Sequence, residues 1–144
     1  MTNRAIEVPA LNCADLNGCY IWVTAMKQES GAAFERLVGL MTRLRAPGGC
    51  PWDREQTHQS LKPYIIEEAY EAVETIELGD QTGVREELGD VLLQVMFHSR
   101  IGQDNQDPWD IDDVARGITE KLIARHPHVF GDVDAATAAE VEAN

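Results

Sequence analysis

Basic residues are scarce in this chain: twelve lysines and arginines stand against twenty-five aspartates and glutamates, a formal net charge of −13. That balance argues against electrostatically driven binding to duplex nucleic acid or to an anionic membrane, and a chain so charged needs a metal ion as intermediary if it is to handle phosphates. Cysteine is also thin. Cys13, Cys19 and Cys50 are odd in number and lack CxxC spacing, which disfavours a disulfide framework and predicts free thiols in a reducing compartment, the cytoplasm. No apolar run approaches the ~20 residues of a membrane-spanning helix, and the N-terminus lacks the basic-then-apolar pattern of a secretory leader. Internal repeats and low-complexity linkers are missing too. The expectation is a soluble protein of one domain, because 144 residues with 44% hydrophobic content can bury an apolar core without covalent staples.

Periodicity divides what is present. Over residues 1–30, Pro9, Asn12, Asn17 and Gly18 interrupt any period, and Tyr20 to Val23 make one short apolar run; this reads as an extension carrying a strand or a docking segment. From Ala32 to Arg45, Phe34, Leu37, Val38, Met41 and Leu44 form a helical stripe that Pro47, Gly48 and Gly49 end. Cys50 to Asp53 reads as a loop. Thr57 or Ser60 is positioned to cap a second helix reaching about Leu78, with Leu61, Ile65, Ala69, Val73 and Ile76 as its apolar stripe. Gly79-Asp80 turns the chain into a third helix, from near Thr82 to Gly102, whose Val91–Phe97 portion is apolar most of the way round and calls for burial on two sides, a second subunit being one cover. Asp110 suits the N-cap of a fourth helix through Ile111, Val114, Ile118 and Leu122, stopped by Pro127. The predicted fold class is all-α, with four principal helices in an antiparallel bundle completed by dimerisation. Residues 1–30 are assigned to the extension, 31–133 to the domain, and 134–144 to an acidic, Ala-rich tail.

The chemistry concentrates in residues 67–90, EEAYEAVETIELGDQTGVREELGD. Glu68 and Glu71 are spaced i, i+3 on the second helix, as are Glu87 and Asp90 on the third, so each pair shares a helical face. A hairpin brings the four carboxylates together. Like charges so placed raise one another's pKa values, and the arrangement is stable chiefly around a cation. Oxygen-only ligands select magnesium or manganese over zinc. A single acidic run is usually a solvated face; two on consecutive antiparallel helices, with only Arg85 between them as counter-charge, point to a metal site.

Other constellations are weaker on their own. Lys121 and Arg125, one turn apart, form with His126 and His128 a basic island that suits a polyphosphate beside a hard metal, or simply complements a helix dipole. Trp52 either stacks on a nucleobase or closes the core, and the second is the commoner use of a lone tryptophan. His98 reads as an interior or interface histidine. A di-iron carboxylate bundle needs two Glu-x-x-His pairs, and only Glu55 with His58 has that spacing.

The strings GCPWDREQTHQSL at 49–61, EEAYE at 67–71, EELGD at 86–90 and KLIARHPHVFGD at 121–132 together resemble the MazG family of nucleoside triphosphate pyrophosphohydrolases. The resemblance implies an all-α, magnesium-dependent enzyme that cleaves (d)NTPs between the α- and β-phosphates and works as a homodimer or dimer of dimers. It implies Glu68, Glu71, Glu87 and Asp90 as metal ligands and Glu67 as the group that positions or deprotonates the attacking water. Lys121 and Arg125 match phosphate-contacting positions, and Trp52 and Asp53 match a motif near the nucleotide pocket. Family chains usually continue into a segment with a Trp and a Lys, whereas this sequence ends at Asn144. A binding or regulatory module without turnover is the corresponding alternative.

Overall fold

The computed structural model describes residues 30–131; the expected N-terminal extension and acidic tail lie outside them. Among the described residues the structure is helical throughout, with no strand. The helices are α1 (Ser30–Arg45), α2 (Pro51–Glu55), α3 (Lys62–Leu78), α4 (Gln81–Gly102), α5 (Ile111–Arg125) and α6 (Pro127–Phe130). None of them is long and apolar enough to cross a membrane.

The hairpin of α3 and α4 is the frame. Gly79 takes the left-handed conformation at φ 70° and its N–H donates to the Ile76 carbonyl, closing α3. Asp80 then opens α4 by accepting from the Thr82 N–H at 3.1 Å. A side chain at Gly83 would meet Thr75 Cγ2 and Asp80 Oδ2 at 2.8 Å, so only glycine lets the helices approach this closely next to their turn. Antiparallel register then sets Glu71 beside Glu87, Leu61 in one cluster with Phe97, and His58 against His98.

The core lies at the open end of this hairpin. Met41 of α1, Leu61, and Met96, Phe97 and Ile101 of α4 are buried together, with Leu37, Val38, Leu92, Leu93 and Ile111 packed around them. Arg45 secures the end of α1, donating through Nη1 to the Asp53 carbonyl and, at 3.2 Å, to the Gln56 carbonyl. Trp109 folds over Gly102, where an added Cβ would lie 2.5 Å from the indole. Asp110 and Asp113 form a capping box at the start of α5: Asp110 Oδ1 accepts from the N–H groups of Asp112 and Asp113, and Asp113 Oδ2 accepts from the Asp110 N–H.

Three local expectations change. Cys50 to Asp53 is no open loop, because Pro51 starts the short helix α2, its fixed φ suiting a first-turn position. Neither Thr57 nor Ser60 caps α3; they bond each other, N–H to hydroxyl in both directions, and Leu61 occupies the N-cap position ahead of Lys62 and Pro63. The predicted apolar stripe divides: Leu61 is buried, while Ile65, Ala69, Val73 and Ile76 are exposed in the single chain, as are Val114, Ile118 and Leu122 on α5. The physical reason is the tight pairing of α3 with α4 through Ala72, Thr75 and Gly83, which turns the acidic side of α3 inward and its apolar side away from the described core.

Candidate metal and nucleotide site

Two helices position the acidic groups. Glu68 and Glu71 stand one turn apart on α3, and Glu87 faces them from α4; one carboxylate oxygen from each lies within 4.8 Å of the other two. Glu68 and Glu87 are half-buried and Glu71 is exposed. Burial first, and then the charges of Asp90, Glu71, Glu67 and Glu87, push the Glu68 carboxyl above the ordinary range. Glu87 is likewise raised, by loss of solvent, by the charges of Glu71 and Asp90, and by a hydrogen bond shared with Glu71. Among the described residues, every charge acting strongly on these two groups is negative. Such a cluster either holds protons or gathers a cation.

The other sequence-derived residues fall around this centre. Asp90 lies outside the three-oxygen group but acts strongly on both Glu68 and Glu87, so it flanks the cluster. Glu67 is exposed beside Glu68 and acts on it more weakly. Trp52 on α2 is 48% exposed yet not free: its ring meets Tyr64 edge-on at 6.0 Å and Phe97 at 6.1 Å. Tyr64 precedes Glu68 by one turn on α3, so the aromatic group adjoins the carboxylates along the hairpin. Asp53 is 9% exposed. Lys121 and Arg125 are exposed on α5, form no ion pair among the described residues, and are not among the charges bearing most on Glu68 or Glu87; the chain by itself does not bring them to the carboxylates. His126 donates from Nδ1 to the Leu122 carbonyl at 2.6 Å, a helix-end role.

Sequence reasoning missed Tyr64, whose position four residues before Glu68 was the available signal. It also missed the pairing of His58 with His98, visible only once the hairpin register is known, and the burial of Gln94, one turn beyond Asp90 and 4% exposed.

A family model for the MazG nucleotide pyrophosphohydrolase domain matches residues 56–130, which takes in both acidic clusters, Lys121 and Arg125. The chain is 56% identical over 105 residues to a Thermotoga maritima protein named nucleoside triphosphate pyrophosphohydrolase/pyrophosphatase MazG, covering 73% of this chain and 41% of that protein. It is 44% identical over 108 residues to a nucleoside triphosphate pyrophosphohydrolase of Escherichia coli K12, covering 74% and 41%, and 44% identical over 109 residues to one of Mycobacterium tuberculosis, covering 75% and 33%. It therefore spans less than half the length of each of these relatives. With the model matching more than half of the chain, the protein belongs to the MazG nucleotide pyrophosphohydrolase domain family.

Proposed function

We propose that this chain hydrolyses nucleoside triphosphates between the α- and β-phosphates, giving a nucleoside monophosphate and pyrophosphate in nucleotide-pool housekeeping in the cytoplasm. Magnesium, with manganese as a substitute, would be held by Glu68, Glu71, Glu87 and Asp90. The observation that carries this reading is the convergence of three carboxylate oxygens within 4.8 Å, two of whose carboxyls, Glu68 and Glu87, are perturbed by burial and, among the described residues, by negative charges. The donor set fits a hard dication, since it is all oxygen and anionic. When bound, magnesium supplies counter-charge for phosphate oxygens and acidifies a coordinated water.

The chain's own residues divide the remaining work. The reaction joins a water oxygen to the α-phosphorus and breaks the bond from that phosphorus to the bridging oxygen, with pyrophosphate leaving. Glu67, exposed at the edge of the cluster, accepts the water's proton. Lys121 and Arg125, without carboxylate partners among the described residues, neutralise phosphate charge. Trp52 and Asp53 serve the nucleoside side. The exposed apolar sides of α3 and α5 support a homodimer or dimer of dimers in which the helices complete an antiparallel bundle; packing there also offers Lys121 and Arg125 a route to a carboxylate cluster.

Mixing the protein with each dNTP and magnesium and resolving the products by chromatography tests the reading. Nucleoside monophosphate with pyrophosphate is the expected outcome. Nucleoside diphosphate with orthophosphate contradicts the site of cleavage, and nucleotide binding without product over hours contradicts turnover.

A further inference from the structure

The catalytic reading leaves one polar contact of the hairpin unused. His58 Nδ1 lies 2.7 Å from His98 Nδ1. The ring centroids are 5.0 Å apart and the planes 4° from parallel. That spacing is what an Nδ1-to-Nδ1 contact of this length leaves when two imidazoles meet edge to edge in one plane, rather than face to face. A lone pair on one nitrogen thus faces an N–H on the other, and only one proton fits between them. The donor carries its proton on Nδ1, while the acceptor, when neutral, carries its own on Nε2. Trp109 backs the pair, its ring 6.0 Å from His58 and 9° from parallel.

The position of the pair gives it a task. His58 sits in the segment joining α2, which bears Trp52, to α3, which bears Glu68 and Glu71; His98 follows Phe97, the ring that Trp52 meets. Most hydrogen bonds of this segment are internal, such as Gln56 Nε2 to the Trp52 carbonyl and the Thr57–Ser60 exchange. Arg45 ties it to α1. The histidine bond ties it to α4.

We propose that His58 and His98 are positioning residues, a one-proton clasp that holds the Trp52–Asp53 part of the nucleotide site against the carboxylate hairpin and opens when the accepting Nδ1 is itself protonated. This rests on the proposed nucleotide site. A first added proton goes to the donor's free Nε2 and keeps the clasp. A second places N–H against N–H, and the contact becomes repulsive. Around the pair, Arg45 and Arg100 are turned to Asp104, Asp110 is committed to its cap, and Asp53 is buried near Arg45. His98 is held below the ordinary histidine value of 6.5 by burial and then by His58, a direction that keeps the one-proton contact closed at neutral pH.

Two measurements on the full chain test this. Long-range ¹H–¹⁵N NMR of the wild-type histidines, which needs no turnover, is expected to show one Nδ1–H and one Nε2–H tautomer with coupled titration; two Nε2–H tautomers titrating independently overturn the clasp even if the enzyme is active. In dNTP kinetics, His98→Phe is expected to raise KM about ten-fold with kcat little changed, the effect of one lost hydrogen bond. His98→Asn, whose amide nitrogen replaces Nδ1 and does not titrate, is expected to keep a low KM and flatten its rise below pH 6.5. If His98→Phe retains wild-type KM and pH profile, the proposal fails. A wild type with the expected tautomers but no turnover instead refutes the catalytic reading and leaves the clasp standing.

Discussion

The two sides of α3 are inverted relative to an ordinary surface helix. Its inward side offers Glu68, Glu71 and the small Ala72 to α4, whereas its outward side shows Ile66, Tyr70, Val73 and Ile76, the first three 56%, 72% and 51% exposed. Helices normally bury apolar side chains and solvate charged ones. Among the described residues each side is incomplete in its own way: the inner side lacks positive charge, and the outer side lacks apolar cover. In the function proposed above, a dication would answer the first and a second protomer the second.

Substitutions confined to one side of α3 separate the two roles. The largest expected effect is from Glu71→Ala, which removes one of three convergent donors: turnover in a dNTP assay should fall at least about a hundred-fold, as for loss of a transition-state-stabilising group. Magnesium binding, followed by calorimetry, should go with it. Full activity in this variant removes Glu71 from the site. Val73→Glu, two residues away on the other side, should leave the inner carboxylates in place but put a charge into the apolar face; light scattering should then report a shift from dimer toward monomer. If the wild type is already a monomer, the outer side is not an interface between copies.

A smaller effect follows from pH. Because Glu68 and Glu87 have raised pKa values in the folded chain, the metal-free folded state binds more protons than the unfolded state. Their contribution to stability is therefore present below the ordinary carboxyl value of 4.5 and lost as pH rises through the raised values. Melting curves in a chelator should show this loss, and magnesium should oppose it by stabilising the ionised carboxylates. Equal Tm-against-pH profiles with and without magnesium would deny the coupling. The smallest change is Asp110→Ala, remote from both sides, which removes the α5 cap and should cost about 1 kcal/mol in denaturant unfolding.

Much of this was legible in one dimension because it depends on near neighbours. The i, i+3 carboxylates, the Gly79-Asp80 turn and the Asp110 cap are local patterns, and the structure reproduces their geometry. The apolar stripe at the second predicted helix is present, with Leu61 buried and Ile65, Val73 and Ile76 exposed, since periodicity identifies a face without saying what covers it. Asp90 has the same spacing as its neighbours yet stands outside the tight three-oxygen group, a matter of side-chain placement that spacing does not fix. His58 with His98 depends on chain segments forty residues apart and becomes visible only through the register. Lys121 and Arg125 have the right chemistry, but they are exposed on α5 and are not among the charges bearing most on Glu68 or Glu87; helical spacing alone does not say which element they face.

The central claim is that the inner carboxylates bind a hard dication as a set. Titration of the protein with Mn²⁺, followed by electron paramagnetic resonance of the free ion, tests it most directly when the wild type is compared with Glu87→Gln. Uptake by the wild type is expected, with proton release on binding because Glu68 and Glu87 hold protons above the usual range, together with loss of that uptake in the variant. Equal Mn²⁺ uptake by both proteins, or none by the wild type, would contradict it.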